Sequence, residues 1–146
     1  MLVDNQLRNI DIKTMHRNGN YIYDSYVLNL TKDQLFKENS LTDYYFHITL
    51  VFDKNGDKND ITAYFIGHIS KTDAIKYGEF FQAGSKRTNN QGRTFAFNFD
   101  TYEIMLGDFE TVPKPVNEQL PGFHYLTMRK TQEYKDRRKR LDEENR

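Results

Sequence analysis

The chain has 146 residues, 37% hydrophobic and 29% charged, which is enough for a single domain with its own core. Its 21 basic and 21 acidic residues cancel, which argues against a DNA mimic and against a basic packaging protein. There is no cysteine and no apolar run of the ~20 residues that a membrane helix needs, which excludes disulfide scaffolds, zinc ribbons, thiol nucleophiles and helical membrane spans. Because the start also lacks the pattern of a signal peptide, we expect a cytoplasmic protein.

The first part of the chain predicts a β-hairpin over residues 10–30 followed by a short helix. Ile10 and Ile12 alternate with polar residues, the Asn-Gly pair in the stretch 16–20 is a turn signal, and residues 21–30 are rich in strand formers. Thr31 with Gln34 three positions later has the spacing of a capping box, which indicates the start of a helix.

The stretch 47–70, HITLVFDKNGDKNDITAYFIGHIS, predicts a second hairpin with a loop from residue 53 to residue 60. This loop sets Phe52 opposite Ile61, Leu50 opposite Ala63, Ile48 opposite Phe65 and Phe46 opposite Gly67. Since each of these residues is apolar or glycine, we expect their face to be buried. The other face, with Tyr45, His47, Tyr64 and His68, is then expected to face solvent.

The second half of the chain predicts a helix over residues 70–84, with Thr72 as its N-cap and Gly84 as its end. A basic loop follows over 85–93, and strands are expected over 94–100, 102–109 and 123–128. Thr131 is the expected N-cap of a last helix, whose large apolar residues are only Tyr134 and Leu141, so weak docking or fraying is expected.

Together these elements predict an α+β fold in a single domain. We expect a mainly antiparallel sheet of about six strands, with one or two helices packed on one face. Residues 1–130 would form the core domain, and residues 131–146 a charged C-terminal helix or tail. Residues 129–146 hold eight Lys/Arg and five Asp/Glu, so the charge that cancels over the whole chain is unevenly distributed.

His47 and His68 are the candidates for catalysis. Each begins a His-x-Thr/Ser triplet, and their expected diagonal placement across the hairpin would bring two imidazoles close enough to shuttle a proton or hold a phosphate. The pattern resembles the two-histidine phosphoesterases, which carry paired motifs of this kind on separate strands. That family places its motifs far apart, whereas these lie 21 positions apart, and His124 has Leu126 in place of the hydroxyl.

Two basic segments are candidates for binding phosphate or an acidic partner. Lys86, Arg87 and Arg93 lie around Asn and Gly residues in the 85–93 loop, without the spacing of a P-loop. Arg137, Arg138, Lys139 and Arg140 form four consecutive cations, which can contact nucleic-acid phosphates or neutralise acids within their own helix.

No catalytic motif is complete, so the first hypothesis is a small non-enzymatic binding protein that docks a protein or nucleoprotein partner. Its candidate binding residues are Tyr45, His47, Tyr64, His68 and the two sets of cations. The alternatives are a nucleic-acid-binding protein and a small phosphoesterase-type enzyme using His47 and His68. We expect no cofactor and no metal. The stretch that begins at Asp53 resembles the start of a calcium loop, but Lys58 and Tyr64 stand at the sixth and twelfth positions, where such a loop needs glycine and glutamate. A homo-oligomer is compatible with the sequence, and the composition suits an accessory protein of a phage or plasmid.

Overall fold

The computed structural model describes residues 2–3, 6–18, 21–38, 40–52, 61–89, 92–111, 124–125 and 128–145. The strands are β1 (Leu2–Val3), β2 (Gln6–Leu7), β3 (Ile10–Asn18), β4 (Val27–Thr31), β5 (Tyr44–Phe52), β6 (Ile61–Ser70), β7 (Glu79–Phe81), β8 (Lys86–Thr88), β9 (Thr94–Ala96), β10 (Thr101–Met105) and β11 (His124–Tyr125). The helices are α1 (Lys32–Phe36), α2 (Lys71–Tyr77) and α3 (Gln132–Glu144), and a 3-10 turn spans Leu106–Asp108.

Two sheets organise the described chain. The larger has the order β11-β6-β5-β3, with β5 and β6 antiparallel and with β3 and β11 each parallel to its neighbour. The smaller has the order β4-β10-β7 and is antiparallel throughout. The short pairs β1-β2 and β8-β9 are separate antiparallel ribbons. The predicted α+β class with mainly antiparallel pairing is confirmed, although the strands divide among several sheets.

The hydrophobic core joins both larger sheets to the first two helices. Leu28 and Leu30 of β4 and Ile104 of β10 belong to the same buried cluster as residues of β5 and β6. Helix α1 adds Leu35 to this cluster and helix α2 adds Ala74. The members from the larger sheet are Tyr45, Ile66 and Ile69.

The register of the central hairpin agrees with the sequence-based prediction in its outer half. Ile48 pairs with Phe65, Leu50 with Ala63 and Phe52 with Ile61. The register then shifts between His47 and Ile48, so that His47 pairs with Gly67 and Phe46 with His68. This irregularity inserts Ile66 as an extra residue in β6, which is the two-against-one geometry of a β-bulge. The predicted Phe46–Gly67 pair is therefore wrong.

The prediction of which hairpin face is buried is also wrong. The face with Tyr45, His47 and Thr49 is the buried one, and these three side chains are at most 1% exposed. The more apolar face, with Phe46, Ile48 and Leu50, is only half-buried. The physical reason is that the rest of the core packs against the first face, where Tyr45, Ile66 and Ile69 meet β4 and β10.

The predicted hairpin over 10–30 does not form. Strand β3 lies parallel to β5 along its whole length, from the Ile10–Tyr44 pair to the Asn18–Phe52 pair. Strand β4 pairs instead with β10 in the other sheet. The alternation of apolar residues identified both strands, but their partners lie far along the chain, where a local turn signal carries no information.

The helix caps agree with the sequence where the signal is strictly local. Thr31 and Gln34 form both hydrogen bonds of the capping box at α1, and Thr131 caps α3 by accepting from the Tyr134 N–H. Helix α2, however, is capped by Ser70 rather than Thr72, and it ends at Tyr77 with Gly78 as its C-cap rather than at Gly84. Ser70 and Thr72 both suit a cap, and β6 continues up to the serine.

The remaining strand predictions are partly correct. The first is reduced to β9, and the second begins one residue earlier as β10 and ends at Met105. Within the third, the described residues 124–125 form β11, and residues 123, 126 and 127 lie outside the described ranges. The expected loop 85–93 contains strand β8, so it is part of a hairpin. The expected loop 53–60 lies outside the described residues. No helix in the described ranges is long and apolar enough to cross a membrane.

Candidate functional site

The structure separates the two histidines that were predicted to act together. The imidazole of His47 is fully buried, 3.0 Å from the Thr49 hydroxyl through Nε2 and 6.0 Å from the Phe109 ring. The bulge places His68 opposite Phe46, with ring centroids 5.4 Å apart, and therefore on the other face of the sheet. A proton relay through both imidazoles is incompatible with this arrangement, because the sheet itself lies between them.

The two tyrosines that were predicted to face solvent lie on the buried face with His47. Tyr45 is 1% exposed, and burial, followed by the negative charge of Asp11, raises its pKa above the ordinary tyrosine value. Tyr64 is opposite Thr49 and packs partly buried against the core. Both tyrosines contribute to packing in this structure, and Tyr45 does not present its ring to solvent as an anchor for a partner.

The opposite face of the larger sheet, which we call the outer face, is half-buried to exposed. Ile12 of β3 is 56% exposed and Ile61 of β6 is 45% exposed. None of the described outer-face residues of β3, β5 and β6 is Asp, Glu, Lys or Arg. The apolar members of the outer face are Ile10, Ile12, Phe46, Ile48, Leu50, Ile61, Ala63 and Phe65. A contiguous apolar surface without charges is the composition found at the centre of protein–protein interfaces.

A pocket of about 310 Å³ lies at one end of the outer face, beside His68. The Nε2 atom of His68 is 3.1 Å from the Glu110 carboxylate, and the backbones of the two residues also pair in a β-bridge. Asp73 and Asp108 contribute further carboxylates to the lining, with Tyr44, Ile69 and Ser70. The pocket is therefore acidic, and its one imidazole is held by a carboxylate.

Asp108 is the acid of this pocket whose side chain is almost fully buried. Burial raises its pKa above the ordinary aspartate value, against hydrogen bonds from the Tyr134 hydroxyl at 2.6 Å and from Arg138 Nη1 at 3.1 Å. Burial of Tyr134, followed by its hydrogen bond to the Asp108 carboxylate, raises the pKa of the Tyr134 hydroxyl. Both partners of Asp108 belong to α3, so this carboxylate attaches the helix to the 3-10 turn.

The basic segment 85–93 does not form one free cationic surface. Lys86 and Arg93 are exposed, and the Arg93 N–H bonds the Asn89 side chain at 3.0 Å. Arg87 points inward, with its guanidinium over the Phe81 ring and in an ion pair with Glu103. The structure thus leaves two of the three predicted cations at the surface.

Three of the four consecutive C-terminal cations are bound to carboxylates of the body. Arg137 is buried and donates to Glu103 at 2.7 Å and to Glu79 at 2.8 Å. Arg140 donates to both oxygens of Glu79 at 2.9 Å, and Arg138 pairs with Asp108. Lys139 is exposed. The basic run therefore docks α3 onto the domain, mainly through charges and with Leu141 as its buried apolar contact.

Sequence reasoning missed the buried carboxylates that hold α3 and the Arg87 side chain. Glu103 lies in β10 with a fully buried side chain, where Arg87 and Arg137 bind its two oxygens. Asp24, also buried, accepts from the Thr131 N–H at 3.0 Å and from its hydroxyl at 2.7 Å. The one available signal was the position of Glu103 inside the apolar strand YEIML, since a lone acid there needs a paired cation.

Within the described ranges, no group of three or more His, Cys, Asp or Glu residues is arranged to hold a metal ion. Comparison of the chain with protein-family models, with curated proteins and with solved structures gives no match. The assignment of a function therefore depends on the surfaces described above.

Proposed function

We propose that the protein is a small non-enzymatic interaction protein whose outer face docks a partner protein. The observation that carries this proposal is the apolar outer face itself, with Ile12 and Ile61 about half exposed and no charged Asp, Glu, Lys or Arg among its described members. Burying such a surface against a partner stabilises the complex by roughly 25 cal/mol per Å² of apolar area before the costs of association.

A partner protein suits this surface better than a nucleic acid does. Nucleic-acid affinity depends on cations that are free to neutralise phosphates. Arg87, Arg137, Arg138 and Arg140 are each paired with a carboxylate of the chain. A phosphate would have to displace these carboxylates, two of which are on side chains that are 5% exposed or less.

A phosphoesterase has less support than a binding protein. His47 and His68 lie on opposite faces, and the pocket at His68 is lined by Asp73, Asp108 and Glu110. Three carboxylates repel an anionic phosphodiester, and the charge of Arg138, the cation bound to Asp108, is already paired.

Charge substitutions on the outer face test the proposal. Ile12→Asp and Ile61→Asp place a carboxylate where little burial is lost, so the melting temperature should change by only a few degrees. Phe99→Asp is the matched control, because Phe99 is 65% exposed and lies outside the sheet. We expect both outer-face variants, and not the control, to lose the partners that wild type cross-links in extracts of its host.

The oligomeric state and phosphodiester assays complete the test. Light scattering after size exclusion measures the oligomeric state. If wild type is dimeric and Ile61→Asp is monomeric, the partner on the outer face is a second copy of this chain. Cross-linked partners that are identical in wild type and both variants would contradict the proposal. So would hydrolysis of a cyclic phosphodiester that is lost in His68→Ala.

A further inference from the structure

The outer edge of β3 carries backbone groups without a partner among the described strands. In the sheet that the described residues form, β3 is the edge strand. At its start the Asn9 carbonyl accepts from the Tyr44 N–H, so Asn9 points toward β5. Because backbone groups of successive residues point to opposite sides of a strand, Asp11, Lys13 and Met15 also face β5. The N–H and C=O groups of Ile12 and Thr14 therefore point away from the sheet.

The edge of β4 also lacks a partner among the described strands. Strand β4 pairs only with β10 among the described strands. The hydrogen bonds that flank this pairing run from the Leu106 N–H to the Tyr26 carbonyl and from the Lys32 N–H to the Asp100 carbonyl. Tyr26 and Lys32, the two residues on the β4 side, are both even-numbered. In an antiparallel pair such residues alternate with residues that point away. Val27 and Asn29 therefore direct their N–H and C=O groups to the side opposite β10.

An open groove of about 530 Å³ lies between these two edges. It is lined from β3 by Lys13, Thr14 and Met15, from β4 by Val27, Leu28 and Asn29, and at α1 by Gln34. Its volume falls within the ~300–1,000 Å³ of ordinary ligand sites. The groove thus combines apolar walls with two rows of backbone donors and acceptors that have strand spacing.

We propose that this groove binds an extended segment of a partner polypeptide, which adds to β3 as a further strand. An extended backbone is the ligand that matches donors and acceptors repeating at every second residue. Met15, Val27 and Leu28 favour apolar side chains at alternate positions of that segment. Lys13 is 3.0 Å from Asp11, so its charge is offset and binding should depend little on salt.

This site shares Thr14 with the rim of the outer face, but it is recognised through backbone groups, so the two proposals can fail independently. The Ile61→Asp variant keeps the groove and should bind the extended segment as wild type does. A variant at the β3 edge should lose the segment even where the outer face still recruits its partner.

Proline at position 14 provides the test. Thr14→Pro removes an N–H that points out of the sheet, so the hydrogen bonds between β3 and β5 are kept. Thr14→Val, the matched control, keeps that N–H and the branched side chain. The probe is a displayed library of random ten-residue peptides selected on the full wild-type chain. We expect enriched peptides with alternating apolar residues that bind wild type and Thr14→Val equally and bind Thr14→Pro at least tenfold more weakly.

Amide hydrogen exchange decides the matter if the proline variant fails to fold. In wild type, a selected peptide should slow exchange at Thr14 and Asn29, whose N–H groups face the groove, and leave Lys13 unchanged. The proposal is overturned if the library yields no peptide, or if selected peptides bind Thr14→Pro as tightly as wild type. It is also overturned if they leave the Thr14 amide unprotected, or if the wild-type chain pairs with itself through this edge.

Discussion

Of the two faces of strand β5, the more polar one is buried, although hydrophobicity alone would predict the more apolar one to be buried. The buried face carries Tyr45, His47 and Thr49, while the half-buried face carries Phe46, Ile48 and Leu50. Polar side chains are tolerated on the buried face because they form hydrogen bonds there, as His47 does with Thr49. The apolar face that the described core leaves half-covered is the one on which the proposed partner would dock.

The largest expected effect comes from removing one ring on each face of β5. Tyr45→Ala should lower the free energy of unfolding by about 3–5 kcal/mol, since it empties a fully buried site. Phe46→Ala, its neighbour on the half-buried face, should cost about half as much. Chemical denaturation of both variants measures the difference. If Phe46→Ala is the more damaging change, the assignment of the two faces is reversed.

The next effect concerns the bulge that puts His47 and His68 on different faces. A Cβ at Gly67 would lie 2.2 Å from the Glu110 carbonyl oxygen, so the two backbones could not stay paired there. Gly67→Ala should destabilise the fold by about 3 kcal/mol through overpacking.

Gly84→Ala is the control for the bulge, because Gly84 has a φ of 85° but open space around it. It should cost only the left-handed backbone penalty of about 1–2 kcal/mol. Equal melting temperatures for the two alanine variants would show that the close contact at Gly67 is not what restricts the position to glycine.

The smallest effect separates two threonines on opposite faces. Thr49→Val removes the hydroxyl beside His47 and should cost about 1–2 kcal/mol, because a buried imidazole nitrogen loses that partner. Thr14→Val, on the exposed face of β3, should change stability by no more than about 0.5 kcal/mol. Thermal unfolding of both variants under one buffer condition is sufficient, and equal shifts would mean that the His47–Thr49 contact contributes nothing.

The parts of the fold that the sequence could predict depend on short-range geometry. The capping box of Thr31 and Gln34 lies within four residues, and the Ile48–Phe65 register follows from an alternating pattern around one loop. The parallel pairing of β3 with β5 could not be predicted in this way, since β4 and α1 intervene and belong to other contacts. The face that is buried depends on which elements pack against the sheet, and a single strand does not encode that.

The candidate site was harder to predict than the fold. The basic run 137–140 is visible in the sequence, but the carboxylates that bind it are distant. Glu79 lies 61 residues from Arg140, and Glu103 lies 34 residues from Arg137. Without those partners the run looks like a phosphate-binding surface. The edges of β3 and β4 that no other described strand covers could not be predicted either, because an edge is defined only by the strand order.

The contact between Asp24 and Thr131 has a consequence for synthesis of the chain. The two residues are 107 positions apart, so a ribosome that has made Asp24 needs roughly 5–20 s more to reach its partner at ~5–20 residues per second. During that time the carboxylate lacks the hydrogen bonds that Thr131 donates in the folded protein. We therefore expect α3 to dock late in synthesis, and polypeptides that stall before residue 131 to be more open to proteolysis.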